Sequence, residues 1–250
     1  MKYEHLPHIE QDLLRMKIVV LSGAGISKES GIDTFRDEDG LWSKYDYAQV
    51  ATPEGFDANP ELVLNFYNER RMELLHAQPN HAHKMLAELE QWHDVTIITQ
   101  NVDDLHERAG SSNVLHIHGE LTKVTSSENR LDPNCIKSYP LEIPIKLGDK
   151  AADGSQLRPY LVWFGEYLSG MDAVCEHIKY ADIFLIIGTS LTVSPASNLI
   201  YYALDDVPKF FINPNDVPVP ENIEFIKATA TDGIDIFIDR VIELTARKKK

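Results

Sequence analysis

A histidine at the end of a short apolar segment is the residue of this chain best suited to proton transfer. His116 and His118 alternate along residues 114–119, so on a strand both side chains face the same way. His118 stands directly before Gly119, where the backbone lets a substrate approach closely. A neutral imidazole accepts protons at physiological pH, and we therefore predict that His118 is a general base. A structural histidine is the alternative; a metal ligand is disfavoured, because no further motif stands at ligand spacing.

A polar cluster follows the apolar residues 95–99. It contains Gln100, Asn101 and Asp103, whose amide and carboxylate groups suit ribose hydroxyls or a carboxamide. The alternative is the start of a helix, where Asn101 caps the first turn and Asp103 interacts favourably with the helix dipole. The residues alone leave both interpretations open.

Tyr67 and Arg70 lie three residues apart in residues 60–78, where the apolar spacing predicts a helix. At this separation two side chains share one helix face. Arginine supplies a fork of donors and tyrosine a hydroxyl, so together they can bind a carboxylate. The alternative is a tyrosine packed in the core and an arginine on the surface.

Two closely spaced glycines follow the apolar residues 17–21. Such a strand and tight turn, Gly23-Ala24-Gly25, lets backbone N–H groups close on a pyrophosphate ahead of a helix. Nicotinamide-dependent dehydrogenases require a third glycine where Lys28 stands, and a strand-end acid about 20 residues further on. We find neither feature, so a hydride-transferring dehydrogenase is the least favoured class. A tight turn without a ligand is the alternative.

These residues must be positioned by the apolar segments between them. Strands that alternate with helices predict an α/β fold, namely a Rossmann-like doubly wound parallel sheet with a smaller inserted module. In such sheets ligands bind at the carboxyl ends of the strands. Here those ends carry glycines and polar residues: Gly23, Gly25, Gln100, Asn101, Asp103, His118, Gly188, Thr189, Ser190 and Asn213.

The chain divides into a larger and a smaller part. Residues 122–159 lose periodicity and are broken by Pro and Gly, which predicts an irregular insertion. We expect the large domain to comprise about residues 1–30, 80–121 and 160–250, and the small module about residues 31–79 and 122–159. Other local predictions are helices over residues 7–16 and 195–204, a last strand over residues 225–228, and a helix capped by Asn80.

The composition is that of a globular protein with an acidic surface. The 250 residues carry a formal net charge of −15 at pH 7, which disfavours nucleic-acid binding. No apolar segment approaches the roughly 20 residues that span a bilayer, and residues 1–5 lack the apolar core of a secretory signal. Cys135 and Cys175 cannot form a disulfide framework, which agrees with a reducing compartment. We expect a cytoplasmic protein, a monomer, that binds neither membranes nor nucleic acid.

Six motifs stand in the order that is typical of one family. They are Gly23-Ala24-Gly25-Ile26-Ser27 with Glu29-Ser30-Gly31-Ile32, Thr34-Phe35-Arg36, Thr99-Gln100-Asn101-Val102-Asp103, His116-Ile117-His118-Gly119-Glu120, Phe164-Gly165-Glu166 and Gly188-Thr189-Ser190. From about Lys17 to its C-terminus the chain resembles the sirtuins, the NAD-dependent protein lysine deacylases. The resemblance implies one catalytic unit over residues 1–250, NAD as cofactor, and acylated-lysine proteins or peptides as substrates.

The resemblance also implies roles for individual residues. On the pyrophosphate side of NAD it places Gly23, Ala24, Gly25 and Ser27. Beside the nicotinamide ribose it places a flexible loop with Phe35 and Arg36. The nicotinamide half is assigned to Gln100, Asn101 and Asp103, of which Asn101 and Asp103 join the base His118 in the catalytic set. The adenosine half is assigned to Gly188, Thr189, Ser190, Asn213 and Ala230. A substrate backbone would pair as an added strand with Val162, Phe164, Gly165 and Glu166.

The family's reaction fits these residue types. The acyl oxygen of the substrate attacks the ribose carbon that carries nicotinamide, so the substrate is the nucleophile and no Ser or Cys triad is needed. A base then activates a ribose hydroxyl, a role that neutral His118 suits. Water completes the cycle and gives nicotinamide, free lysine and O-acyl-ADP-ribose.

Two features distinguish the chain within the family. Sirtuins commonly carry four zinc-binding cysteines in the small domain, whereas the corresponding region here has Thr125-Ser126-Ser127 and only Cys135. One cysteine cannot make such a site, so we expect no zinc ribbon and no metal. Tyr67 and Arg70 resemble the Tyr-x-x-Arg pair of the branch that removes succinyl and malonyl groups. That resemblance implies desuccinylase and demalonylase activity with weaker deacetylase activity.

Two other functions stay open at this point. In a mono-ADP-ribosyltransferase a protein side chain would replace the acyl oxygen as nucleophile in the same pocket. A non-catalytic sensor of NAD or ADP-ribose would keep the binding residues without turnover. The intact His118, Asn101 and Asp103 argue against the sensor.

Overall fold

Strands and helices alternate along most of the chain. The computed structural model describes residues 15–34 and 45–248. The described strands, numbered in chain order, are β1 Lys17–Ser22, β2 Asp94–Thr99, β3 Val114–His116, β4 Gly119–Ser126, β5 Lys137–Ser138, β6 Leu157–Leu161, β7 Ile183–Ile187, β8 Lys209–Ile212 and β9 Ile223–Ile226. The described helices are α1 Gly25–Lys28, α2 Tyr47–Val50, α3 Pro53–Ala58, α4 Pro60–His76, α5 His81–Leu89, α6 Leu105–Ala109, α7 Met171–Lys179 and α8 Ala230–Lys248, with a 3-10 helix over Ala196–Tyr201.

The large sheet is parallel throughout its described strands. Their order is β3-β2-β1-β7-β8-β9. Alternating residues of β1 enter two separate cores, with Ile18 and Val20 on one face and Val19 and Leu21 on the other. A strand that is covered on both faces requires such a continuous apolar sequence. The prediction of a doubly wound α/β fold is confirmed.

The chain order of this sheet reverses at β1. This strand pairs with β2 on one side and with β7 on the other. Ligands of open parallel sheets bind outside the carboxyl ends of the strands at such a switch point. The three strands end at Ser22, Thr99 and Ile187, so the residues that follow them meet at one edge.

A second, antiparallel sheet has the strand order β5-β4-β6 and lies where the sequence predicted an irregular insertion. That prediction was wrong for β4 and β6. Pro159 lies inside β6, and the pairing register shifts between Glu120 and Val124, so the usual alternation of side chains is interrupted. Because β4 begins at Gly119, the small sheet starts directly after His118.

A buried arginine joins the small sheet to α4. The guanidinium of Arg71, a fully buried residue, donates to the carbonyl oxygens of Leu121 and Pro140 at 2.5 Å each and to those of Tyr139 and Ile143 at 3.4 and 3.3 Å. Burial lowers the pKa of Arg71. These hydrogen bonds satisfy a charge that would be costly to bury alone, and they fix α4 against the module.

Side-chain caps define the start of the two helices before β2. The side chain of Asn59 accepts from the N–H of Leu62, and Pro60 occupies the first turn of α4. The side chain of Asn80 accepts from two N–H groups of α5, which confirms the predicted cap. Both helices therefore begin where the sequence indicates.

Three local predictions had other outcomes. The helix expected over residues 195–204 is a 3-10 helix over Ala196–Tyr201, and the last strand is Ile223–Ile226 rather than residues 225–228. Most of the helix expected over residues 7–16 lies outside the described residues. None of the described helices is long and apolar enough to cross a membrane.

Candidate active site

The glycine turn after β1 packs against a second turn that follows β7. The N–H groups of Gly23 and Gly25 donate to the carbonyl oxygens of Ile187 at 3.0 Å and Gly188 at 2.7 Å. A Cβ atom on Gly25 would lie 2.8 Å from Gly188, and one on Gly23 would lie 2.8 Å from the side chain of Thr189. This backbone contact is what requires glycine. These two N–H groups are engaged within the protein, and the assignment of this turn to a pyrophosphate stays a prediction.

The backbone N–H of Ala24 is the group of this turn that is available to bind an anion. It is half-buried, and within the described residues its N–H makes no hydrogen bond to a backbone carbonyl. The next helix, α1, has only four residues, so its dipole contributes little. The single N–H of Ala24 is the donor that the turn offers to a phosphate.

Gln100, Thr189 and Asn213 connect the predicted nicotinamide and adenosine halves of the site. Gln100 follows β2 and donates from Nε2 to Thr189 Oγ1 at 3.1 Å. Asn213 follows β8 and donates from Nδ2 to the Thr189 carbonyl at 2.8 Å. Ser190 stands next to Thr189, and the buried Ala230 begins α8 after β9. The strand ends thus form one hydrogen-bonded edge.

A buried hydroxyl connects two of the predicted cofactor residues. Asn101 Nδ2 donates to Ser27 Oγ at 3.1 Å, and Ser27 Oγ donates to Asp103 Oδ2 at 2.9 Å. The other carboxylate oxygen of Asp103 accepts from the N–H of Leu105 at 3.2 Å. Burial raises the pKa of Asp103, although these hydrogen bonds oppose the shift. The three side chains are therefore held in one fixed arrangement.

The remaining polar atom of Asn101 has no partner in the part of the chain that the structure describes. Asn101 is 6% exposed, and its Oδ1 is buried without a hydrogen bond. An unpaired buried carbonyl oxygen costs about 1–3 kcal/mol, so its presence calls for an explanation. A carboxamide N–H or a ribose hydroxyl would supply the missing donor. The residues present therefore fit the nicotinamide half of a dinucleotide.

The ring of His118 is held in one tautomer. Its Nδ1 lies 2.9 Å from the carbonyl oxygen of Gln100. Because a carbonyl can only accept, Nδ1 carries the proton and Nε2 is the basic nitrogen. Burial lowers the pKa of His118, and the bond to Gln100 offsets part of that shift. His118 is therefore neutral at pH 7, as a general base must be.

His116 is engaged on both ring nitrogens. Its Nε2 lies 2.7 Å from Glu107 Oε1, and its Nδ1 lies 3.1 Å from the carbonyl oxygen of Asn101. Burial is the largest single influence and lowers the pKa of His116, but Glu107, Glu120 and the carbonyl of Asn101 together outweigh it, so the net shift of the pKa is upward. His116 supports the backbone of Asn101. Within the described residues no three His, Cys, Asp or Glu side chains are grouped to hold a metal.

Tyr67 and Arg70 are both buried on α4. The hydroxyl oxygen of Tyr67 accepts a hydrogen bond from Trp163 Nε1 at 3.0 Å, and the two rings stack with centroids 6.3 Å apart. Arg70 is 7% exposed and lies 3.5 Å from the carboxylate of Glu73. It also donates to the carbonyl of Asp33 at 3.4 Å. The alternative of a surface arginine is therefore excluded.

The predicted substrate segment after β6 is a turn. The N–H groups of Val162, Phe164 and Glu166 donate to carbonyls within the protein at 2.9, 2.9 and 3.0 Å, and the acceptor of Val162 is His118. These three N–H groups are engaged within the protein, and the pairing of a substrate strand with this segment stays a prediction. Any pairing with a substrate backbone has to use the other groups of this turn, including those of Gly165.

The carboxylate of Glu166 is occupied by a buried arginine. Arg158 donates to both Glu166 oxygens, at 2.8 and 3.1 Å, and its guanidinium lies 3.3 Å from the centroid of the Trp163 ring. Arg158 is only 2% exposed. The side chain of Glu166 is therefore engaged within the protein, and the role of this residue in substrate binding stays a prediction about its backbone.

Some residues of this site were missed from the sequence. The strand alternation of Val162 and Phe164 could have indicated that Trp163 points to the opposite side. No pattern marks Arg158, because buried arginines are rare and its partner lies beyond the end of the strand. Phe35 and Arg36, predicted to border the cofactor, lie outside the described residues.

The fold and the site define a doubly wound α/β protein with polar residues along the carboxyl ends of its strands and a neutral histidine beside them. The chain belongs to the Sir2 family, whose model matches residues 23–195. It is 52% identical over 221 residues to an NAD-dependent protein deacylase of Bacteroides thetaiotaomicron, covering 87% of this chain and 94% of the relative. It is 48% identical over 231 residues to an NAD-dependent protein deacylase of Helicobacter pylori, covering 92% and 99%.

Solved structures of the family match the whole architecture. A Sir2 homologue in complex with NAD is 36% identical and superposes with a TM-score of 0.78 over 97% of this chain and 98% of that one. A Sir2 variant with a deacetylated p53 peptide and 3′-O-acetyl ADP-ribose is 28% identical, with a TM-score of 0.75 over 93% and 97%.

Proposed function

We propose that this NAD-dependent protein deacylase prefers lysines that carry acidic acyl groups, succinyl or malonyl, and removes acetyl groups more slowly. Its substrates are acylated lysines of proteins or peptides. The observation that supports the preference is the pair of Tyr67 and Arg70, buried one helical turn apart on α4. The hydroxyl of Tyr67 accepts from Trp163 and donates to no acceptor in the described part of the chain, and an acyl carboxylate would accept from it and from the neighbouring guanidinium of Arg70.

Two hydrogen bonds link Tyr67 to the proposed base through neighbouring residues of the chain. Val162 donates its backbone N–H to the carbonyl of His118, and the next residue, Trp163, reaches Tyr67 with its indole. The successive residues Val162 and Trp163 therefore connect His118, the proposed base, with Tyr67 of the proposed acyl pocket.

The strand ends would hold the cofactor, NAD. Asn101 Oδ1 would accept from the nicotinamide half, and the N–H of Ala24 would donate to a phosphate. Gln100, Asp103 and Ser27 would keep Asn101 and its neighbours in place. The adenosine half would lie against Gly188, Thr189, Ser190, Asn213 and Ala230. We keep Phe35 and Arg36 as proposed neighbours of the nicotinamide ribose.

NAD, when bound, supplies a ribose carbon that is open to attack and carries nicotinamide as the leaving group. His118 would take a proton from a ribose hydroxyl at Nε2 while Nδ1 stays bonded to Gln100. Tyr67 and Arg70 would hold the distal carboxylate of the acyl group and so orient its reacting carbonyl. The products would be nicotinamide, free lysine and O-acyl-ADP-ribose.

The test compares one peptide sequence carrying acetyl-, malonyl- or succinyl-lysine, each incubated with NAD and the purified enzyme. We expect higher kcat/KM values for the malonyl and succinyl peptides, with mass spectrometry detecting the matching O-acyl-ADP-ribose. A higher kcat/KM for the acetyl peptide would contradict the proposed preference. ADP-ribose attached to protein, in place of O-acyl-ADP-ribose, would identify a mono-ADP-ribosyltransferase instead. NAD binding with no nicotinamide release from any peptide would identify a sensor.

A further inference from the structure

We infer that Trp163 is a positioning residue that sets acyl specificity by fixing the hydroxyl of Tyr67 as a hydrogen-bond donor. The inference rests on the proposed preference for acidic acyl groups. It concerns a side chain that is only 3% exposed and that contacts Tyr67 on α4.

The hydrogen bond between Trp163 and Tyr67 can have only one direction. An indole N–H can only donate, so the oxygen of Tyr67 accepts from Trp163 Nε1 at 3.0 Å. The proton of Tyr67 must then point to a different acceptor. Trp163 is the one hydrogen-bond partner of this hydroxyl in the described part of the chain. A succinyl or malonyl carboxylate would provide the acceptor, whereas an acetyl methyl group cannot.

Trp163 is itself held from several directions. The Arg158 guanidinium lies 3.3 Å from its ring centroid, and the ring of Phe56 lies 5.2 Å away. The backbone N–H of Trp163 donates to Glu166 Oε2 at 2.7 Å, and the same carboxylate binds Arg158. The indole N–H is therefore aimed at Tyr67 by a rigid set of contacts. Cation–π contact with tryptophan and a bidentate carboxylate are among the stronger polar contacts in proteins.

This arrangement makes the pocket floor select between acyl groups by the direction in which the hydroxyl proton of Tyr67 points. Tyr67 presents its proton as a donor, and the cationic Arg70 lies one helical turn away on the same helix. If the indole N–H is removed, Tyr67 can rotate its proton away from the pocket and present its lone pairs to the acyl carboxylate. The carboxylate then loses a donor, while an acetyl group loses nothing at this position.

The experiment measures kcat/KM for matched succinyl and acetyl peptides in the Trp163→Phe enzyme. Losing a hydrogen bond to a charged group predicts an approximately tenfold fall in the succinyl-to-acetyl ratio. Phe56→Leu is the control, because it disturbs packing on the same indole without removing a polar group. An equal fall in the ratio for Phe56→Leu would overturn the inference in favour of a packing effect.

A double-mutant cycle with Tyr67→Phe separates positioning from packing. In the Tyr67→Phe background, Trp163→Phe should change the ratio by less than about twofold, since there is no hydroxyl left to orient. Independent, additive losses would overturn the inference. If Trp163→Phe fails to fold, benzothienylalanine at position 163 retains the ring shape but lacks the N–H, and it should give the same tenfold fall.

Arg70→Met distinguishes the failure of this inference from the failure of the proposed function. If Arg70→Met collapses the ratio and the loss of the indole N–H leaves it unchanged, only the role of Trp163 is overturned. If the wild-type enzyme has no preference for the succinyl peptide and Arg70→Met changes nothing, the proposed acyl preference fails and this inference fails with it.

Discussion

Nδ1 of His118 donates to the carbonyl oxygen of Gln100 at 2.9 Å, so the residue that fixes the tautomer of the proposed base also belongs to the proposed cofactor edge. The side chain of Gln100 in turn donates to Thr189, on the adenosine side. Backbone and side chain of one residue thus connect the proposed base with the turn that follows β7.

Removing the base should stop the reaction without preventing cofactor binding. His118→Ala or His118→Tyr should lower kcat by about a thousandfold, because general-base catalysis typically contributes a hundredfold to ten-thousandfold. Nicotinamide release measures turnover, and calorimetry measures NAD binding. His177→Ala, at an exposed position on α7, serves as the control. Full activity of the His118 variants would exclude this role.

The acid limb of the pH profile should lie below the range of an ordinary histidine. Burial lowers the pKa of His118 from 6.5, so its Nε2 stays unprotonated and basic further into the acid range. The value of kcat/KM should therefore hold as the pH falls to 6.5 and decline only below it. A decline that is complete above pH 7 would contradict a buried neutral base.

Replacing Asn101 should weaken NAD binding and change the stability of the protein only slightly. Asn101→Ala removes the unpaired Oδ1, which relieves a burial cost of about 1–3 kcal/mol, but it also loses the bond from Nδ2 to Ser27. We expect the melting temperature without NAD to change by less than about 3 °C, and the Kd for NAD to rise by about tenfold. A large loss of stability with unchanged NAD affinity would assign Asn101 to structure alone.

Histidines buried in the neutral form should make stability depend on pH. Burial lowers the pKa of His93 to about 4, and its Nδ1 accepts from the N–H of Met16 at 3.4 Å. Between pH 6.5 and about 4 the unfolded chain binds a proton that the folded protein does not. The contribution of His93 is therefore complete above pH 6.5 and is lost on acidification, at about 1.4 kcal/mol per pH unit.

His93→Gln tests this linkage. Urea unfolding between about pH 7 and pH 5 should show a slope of stability against pH that is smaller than that of the wild type by one proton. His83, whose pKa burial also lowers to about 4, should maintain part of the slope in the variant. Equal slopes for the two proteins would show that His93 does not resist protonation in the folded state.

The sequence was sufficient to predict those features that neighbouring residues in the chain determine. The apolar residues of β1 and β7 are buried on both faces, and Asn80 caps α5. A continuous apolar segment and a capping residue were therefore sufficient to predict these elements. Gln100 and Asn101 follow β2 as predicted, but the strand expected over residues 114–119 ends at His116, and His118 lies in the turn before β4. The correctly predicted features depend on neighbours in the chain, which a sequence displays directly.

Other features depend on contacts between distant segments. The glycine turn owes its glycines to Gly188, over 160 residues away in the chain, rather than to a phosphate alone. Arg158 is buried because Glu166 and Trp163 surround it. The strands of the small sheet were hidden by Pro159 and a register shift. No single segment carries these signals, since each partner has an ordinary role when considered alone.

The absence of a structural zinc stays a prediction. Around the expected position, Ser126 Oγ lies 2.9 Å from Ser155 Oγ and also accepts from the N–H groups of Glu128 and Asn129. These hydrogen bonds close the tip of the small sheet with side chains that zinc does not favour. Elemental analysis of the purified protein should find far less than one zinc per chain, and a stoichiometric amount would contradict the prediction.

The central claim is tested most directly by the succinyl-to-acetyl ratio of kcat/KM in Arg70→Met. Methionine retains the bulk of the side chain and removes the cation, and losing a buried partner of a carboxylate costs about 2–5 kcal/mol. We predict that activity on the succinyl peptide falls by about a hundredfold and activity on the acetyl peptide by far less. Glu69→Gln, at an exposed position of α4, should leave the ratio unchanged. Equal losses on the two peptides in Arg70→Met would contradict the account.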